Sequence, residues 1–144
     1  MKRVIKIGGA MLKRPRELSE LTREIAKRCP PAIVVPGGGP SADLVREVYE
    51  ELRLGDDTAH WMAILAMEQY SLLLADLMGS RASIVSDLEE AEKEVDKGKL
   101  ALIAPYELVR SELNWLPHDW SVTSDSIALY VARLTGSDLL VLIK

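Results

Sequence analysis

Five short apolar runs, separated by segments of helical period, set the frame of this chain. Lys2 to Ile7 alternates imperfectly, as a strand covered on both faces does. Pro15 opens a helix to about Arg28, with Leu18, Leu21, Ile25 and Ala26 along one face, and Pro30 and Pro31 stop it. Ala32 to Val35 is the second strand, and it empties into Gly37, Gly38 and Gly39. Pro40 or Ser41 then starts a helix through about Leu52, with Leu44, Val45 and Val48 inward. Ala82 to Val85, Leu100 to Ala104 and Leu139 to Ile143 complete the strands. Between them lie a helix after Ser86-Asp87-Leu88-Glu89, which matches a capping box, a short helix and loop over Tyr106 to Trp115, and a helix over Ser126 to Thr135. The alternation β-α-β-α predicts an α/β fold: a mostly parallel, open sheet between helical layers, a three-layer sandwich.

One segment breaks the amphipathic rule. Thr58 to Met78 is apolar nearly all round, through Trp61, Met62, Ile64, Leu65, Met67, Leu72, Leu73, Leu74, Leu77 and Met78. His60, Glu68, Gln69 and Asp76 interrupt it, which argues against a membrane span. A helix of this kind is covered on more than one side. It lies either at the centre of the domain or against a second copy of the chain, and the small size favours a homodimer through this helix.

Composition narrows the function classes. The 144 residues fit one domain. A formal charge of −4 argues against a non-specific nucleic-acid binder. Cys29 is the single cysteine, so no intrachain disulfide and no Cys-based zinc site forms within one chain, and no metal site is expected from the sequence. Its isolation suits a reducing, cytoplasmic setting. Lys2 and Arg3 are followed by too few apolar residues before Lys6 for a signal peptide.

The chemistry concentrates at glycines. Gly37-Gly38-Gly39 follows a strand and precedes a helix, where exposed N–H groups and the helix dipole favour a phosphate or carboxylate. The chain begins with a second copy of this device, Lys6-Ile7-Gly8-Gly9. Lys6 is either an edge-strand lysine facing solvent or a point charge for transferring phosphate oxygens. Asp125, in Val122-Thr123-Ser124-Asp125-Ser126, is either a plain helix cap or a carboxylate that orients Lys6 or holds magnesium through water. His118, Asp119 and Trp120, with His60 and Trp61, fit surface pairing and packing, although Trp120 offers a ring on which a flat substrate stacks. Neither the P-loop nor the dinucleotide fingerprint occurs.

In order and spacing, Lys6-Ile7-Gly8-Gly9, Val35-Pro36-Gly37-Gly38-Gly39-Pro40 and Ser121-Val122-Thr123-Ser124-Asp125-Ser126-Ile127-Ala128 resemble the amino acid kinase superfamily, which includes acetylglutamate, aspartate and uridylate kinases. The resemblance implies an α/β/α sandwich in which ATP, with Mg2+, gives its γ-phosphoryl group to a phosphate, carbamate or carboxylate acceptor. It implies that Lys6 stabilises the transferring group, that Asp125 holds Lys6, and that Gly8, Gly9, Gly37, Gly38 and Gly39 surround the phosphates. Pro40, Ser41, Trp120 and Ser124 are then the acceptor-side candidates. The stretch Asp119 to Ser126 is most similar to a small archaeal-type branch that includes a methanofuran-synthesis kinase acting on an aminomethyl-furanmethanol phosphate. The resemblance further implies a nucleotide-binding second half beyond Lys144, so residues 1–144 correspond to the acceptor- and phosphate-binding half. A non-catalytic subunit binding nucleotide or oxyanion is the competing expectation.

Overall fold

The computed structural model describes residues 1–144. Its five strands are β1 (Arg3–Ile7), β2 (Ala32–Pro36), β3 (Ala82–Val85), β4 (Leu100–Ile103) and β5 (Leu139–Ile143). They form one sheet in the order β3-β4-β2-β1-β5, and every neighbouring pair is parallel. The helices are α1 (Pro15–Arg28), α2 (Gly39–Leu52), α3 (Asp56–Met78), α4 (Leu88–Asp96), α5 (Pro105–Glu112) and α6 (Ser124–Leu134). The predicted α/β sandwich is the observed fold.

Alternate strand residues feed two cores, as the period of a strand requires. On one face Val4, Ile33, Val35, Ala101 and Ile103 pack under α4, α5 and α6. On the other, Ile5, Ile7, Val34, Leu100 and Leu102 pack under α1. Because both faces are covered, β2 and β4 read as unbroken apolar runs.

α3 explains its own composition. Its N-terminal half gives Ile64 and Met67 to the first core, and its C-terminal half gives Tyr70, Leu74 and Met78 to the second. It crosses the carboxyl ends of the strands: Ser71 Oγ donates to the Ile103 carbonyl at 2.5 Å, and Tyr70 OH donates to the Gly8 carbonyl at 3.2 Å. By length and composition the 56–81 stretch is apolar enough to cross a bilayer; here it straddles both cores. It still leaves Met62, Leu65, Leu72, Leu73 and Leu77 exposed. The central position is therefore real, and an uncovered apolar stripe remains beside it.

Several local expectations shift. The cap of α4 is Asp87, not Ser86: Asp87 accepts from the Glu90 N–H at 2.8 Å, and Glu90 Oε2 accepts from the Ser86 N–H at 2.9 Å. A single 3-10 turn, Gly9–Lys13, follows the first glycine pair and was not legible as an element. The last helix begins at Ser124, two residues before the expected Ser126.

Candidate active site

The two glycine segments meet. β1 and β2 are neighbours and run parallel, so Gly8-Gly9 and Gly37-Gly38-Gly39 leave the sheet from the same edge. Gly37 N–H donates to the Ile7 carbonyl at 2.8 Å, and Gly8 N–H donates to the Ile143 carbonyl at 2.7 Å. Those two donors are consumed by the sheet, so Gly8 and Gly37 contribute closeness rather than free N–H groups. A Cβ on Gly9 would stand 2.0 Å from the Gly39 nitrogen, and one on Gly37 would stand 2.6 Å from the Gly9 nitrogen. Gly39 also has φ +63°, a region that favours glycine. The backbones touch where no side chain fits.

What remains available is the N-terminus of α2. Gly38 caps it without any side-chain hydrogen bond, and the first-turn N–H groups of a helix have no intrahelical partner. With the helix dipole behind them, these groups complement an anion.

Lys6 lies beside them on the face that α6 covers. It is 6% exposed, in a strand flanked on both sides, so it is no edge-strand lysine. Its ammonium pairs with Asp125 Oδ1 at 2.8 Å. Asp125 Oδ2 accepts from Lys144 Nζ at 2.5 Å. The Lys144 ammonium, then that of Lys6, hold the Asp125 carboxyl below the usual carboxylate range. One carboxylate between two ammonium groups leaves one positive charge in excess, on a cluster that meets the cavity through the neighbouring Ser124. Capping is the work of another residue: Thr123 forms a capping box with Ser126, which frees Asp125 for the ion pair.

The adjoining cavity, about 190 Å³, is bounded by Gly38 and Gly39, by Asp43 and Arg46 of α2, by His60 and Ile64 of α3, and by the loop from His118 to Ser124. Of the acceptor-side candidates, Trp120 and Ser124 line it. Pro40 and Ser41 do not: Ser41 Oγ donates to Gln69 Oε1 at 2.6 Å, and Asp43 and Arg46 occupy the wall instead. Trp120 is not free to stack on both sides, since the Arg46 guanidinium lies 4.6 Å from its ring centre and Tyr49 meets its edge at 5.6 Å. Tyr49 OH donates to Asp56 Oδ1 at 2.5 Å. Asp43 and Arg46, three apart on α2, carried no signal in the sequence beyond ordinary surface charge.

No group of three or more His, Cys, Asp or Glu side chains is disposed to hold a metal. Asp125 fits poorly as a magnesium ligand, because each of its oxygens is already paired with an ammonium group.

Sheet order, touching glycine loops and a buried Lys–Asp pair together define a class. The chain belongs to the amino acid kinase family, whose model matches residues 1–144. It is 30% identical, over 132 residues, to the [5-(aminomethyl)furan-3-yl]methyl phosphate kinase of Methanocaldococcus jannaschii, covering 91% of this chain and 60% of that protein. The fold is similar to uridylate kinase from Archaeoglobus fulgidus, with TM-score 0.72, 20% identity, and coverage of 100% of this chain and 63% of that one. It is also similar to UMP kinase from Bacillus anthracis, with TM-score 0.74, 18% identity, and coverage of 99% and 64%. The chain thus spans about three-fifths of the curated relative it matches.

Proposed function

We propose that residues 1–144 are the acceptor- and phosphate-binding portion of an ATP-dependent kinase that transfers the γ-phosphoryl group to a phosphate on a small molecule. The observation that carries this reading is Lys6: a lysine 6% exposed in mid-sheet, paired with Asp125 beside an uncapped helix N-terminus. Burying an ammonium is costly unless it is paired, as Asp125 pairs Lys6 here, and a positive charge near unpaired N–H groups is what a transferring phosphoryl group needs.

Phosphoryl transfer gives a protein little covalent work, so the rate comes from placement and charge. Lys6 aims its ammonium at the equatorial oxygens of the transferring group, and Asp125 keeps Lys6 extended along the sheet edge. Gly38 and Gly39 offer backbone N–H groups, while Gly8, Gly9 and Gly37 keep the loops close enough for that approach. Mg2+ would come with the nucleotide and would neutralise phosphate charge; this part of the chain supplies no carboxylate cage for it. The cavity between α2, α3 and the 118–124 loop takes the acceptor. The relative's name supports (5-(aminomethyl)furan-3-yl)methyl phosphate as the particular acceptor, and the carboxylates of Asp43, Asp56 and Asp119 around the cavity suit its ammonium group. The exposed α3 stripe supports a twofold homodimer, since such interfaces are self-complementary and often apolar.

The test is a coupled ADP-release assay on the full-length protein, with ATP, Mg2+ and a panel of acceptors: that furan phosphate, UMP, acetylglutamate and aspartate. The reading predicts turnover with the furan phosphate that Lys6→Ala lowers by about 10²–10³. Turnover with a carboxylate acceptor alone would contradict the phosphate assignment. Nucleotide binding without turnover on any acceptor would favour the non-catalytic subunit.

A further inference from the structure

A second constellation stands at the mouth of the acceptor cavity, and the phosphate chemistry does not use it. Asp57 and His60 are three residues apart on α3 and so share a helical face. His118, from the loop after α5, lays its ring on His60 with centroids 4.0 Å apart and planes 12° from parallel. Its Nδ1 lies 2.8 Å from Asp57 Oδ1. A carboxylate only accepts, so His118 Nδ1 carries the shared proton and donates. Trp61 closes the cluster edge-on, 4.8 Å from His60 and 5.3 Å from His118, and is itself backed by Tyr106 of α5. His60 is 8% exposed, and its Nε2 has no partner.

The position of this cluster gives it consequence. The residues after His118 are cavity wall: Asp119, Trp120, Val122, Thr123 and Ser124. Asp125 follows directly. The far end of the 117–123 segment is fixed by Val122 on the first core and by the Thr123–Ser126 capping box; nearer His118, Asp119 accepts from Ser121 N–H and Oγ within the loop itself, and Trp120 rests on Arg46 and Tyr49. Asp57 is 85% exposed, so its ion pair alone contributes little. The stack on buried His60 supplies the rest of the grip.

We propose that His118, clamped between Asp57 and His60, is a positioning residue that holds the 117–123 loop against α3 and thereby sets the acceptor end of the cavity. The proposal rests on the acceptor reading given above. It carries a pH signature. Two stacked imidazoles 4.0 Å apart do not both hold a proton without repulsion. Burial first, and His118 second, push His60 below the ordinary histidine value, against the opposing pull of Asp57 and Asp119. Of the other charged groups around the cluster, Asp56 is bonded to Tyr49, Arg46 lies on Trp120 and Arg110 lies over Tyr106, while Asp43 of α2 shares the cavity wall with both rings. Protons on both rings would set two like charges face to face, so acidification works against the stack and loosens the loop.

The test uses amide hydrogen exchange together with steady-state kinetics on the full-length protein, with (5-(aminomethyl)furan-3-yl)methyl phosphate as the acceptor probe. His118→Ala is expected to speed exchange across residues 117–123, leave β1 and α1 unchanged, and raise the acceptor KM about tenfold with kcat little affected. Asp57→Ala, at an exposed position that does not endanger folding, should move both readouts the same way by a smaller factor. His118→Phe keeps a flat ring on His60 and should restore slow exchange and most of the KM. In the wild type KM should rise as pH falls from about 7 to about 5, and His118→Phe should flatten that profile. Unchanged loop exchange in His118→Ala, or an unchanged KM, overturns the proposal. If the wild type does not phosphorylate the probe, the acceptor reading fails, and loop exchange alone decides: faster exchange in His118→Ala upholds the clamp, and unchanged exchange overturns it.

Discussion

Replacing Gly9 by alanine tests the glycine crossing, because the perturbation is purely steric. Gly9 does not have positive φ, so alanine meets no conformational penalty there. The added Cβ would stand 2.0 Å from the Gly39 nitrogen, 2.2 Å from its Cα and 2.9 Å from the Gly38 carbonyl carbon. All three are backbone atoms where β2 leads into α2, so no side chain can rotate away. An ordinary carbon contact is about 3.5–4.0 Å, so the loops must part by over an ångström. Overpacking of this kind costs about 1–3 kcal/mol, and in a domain of this size each kilocalorie lowers Tm by about 2–4 °C. Gly55→Ala is the control, since its Cβ would meet nothing within 4 Å and its φ is −65°. Thermal unfolding should show Gly9→Ala several degrees below Gly55→Ala, and calorimetry should show weaker binding of inorganic phosphate. A Gly9→Ala protein with both the melting temperature and the phosphate affinity of the Gly55→Ala control would refute the claim that the two loops are held in contact.

Three further outcomes follow from particular contacts. Leu73→Asp on the exposed α3 stripe should turn a dimer into a monomer in sedimentation at micromolar protein, and a monomeric wild type would remove the dimer. Asp87→Ala should cost about 1 kcal/mol in urea unfolding through loss of the cap, whereas Ser86→Ala should cost next to nothing because only the Ser86 backbone is engaged. Asp125 has a lowered carboxyl pKa in the fold, so its contribution is complete above the ordinary carboxylate value and is lost as pH falls through the lowered one. Asp125→Asn should accordingly flatten the acid limb of a stability-against-pH curve below about pH 4, and an unchanged limb would argue against the ion pairs.

Much of this architecture was legible because Gly or Pro stands close to one end of each apolar run. β3 and β5 fall at their predicted residues, and α1 ends where Pro30 and Pro31 follow. The glycine segments were legible as loops because three consecutive glycines after a strand leave few other options. Their mutual contact was not, since it depends on β1 and β2 being neighbours. For α3, all-round apolarity has two solutions, a central position or a subunit contact; the crossing over the strand ends shows the first, and the exposed Leu72, Leu73 and Leu77 keep a face for the second. Asp125 was ambiguous for a similar reason: a carboxylate in a first turn serves as cap or as partner. The Thr123–Ser126 capping box resolves it. The His60–His118 stack joins residues far apart in the chain, with no local period to announce them.

The central claim is that Lys6 and Asp125 act as one unit on the transferring phosphoryl group. The direct measurement is a double-mutant cycle in kcat with ATP and (5-(aminomethyl)furan-3-yl)methyl phosphate, using Lys6→Ala, Asp125→Asn and the pair together in the full-length protein. Loss of one preorganised electrostatic donor lowers kcat by about 10²–10³. The account predicts that each single variant falls by that order with little change in acceptor KM, and that the double variant is hardly worse than either. Additive losses would mean the two residues act separately, and near-full activity in Asp125→Asn would contradict the positioning role outright.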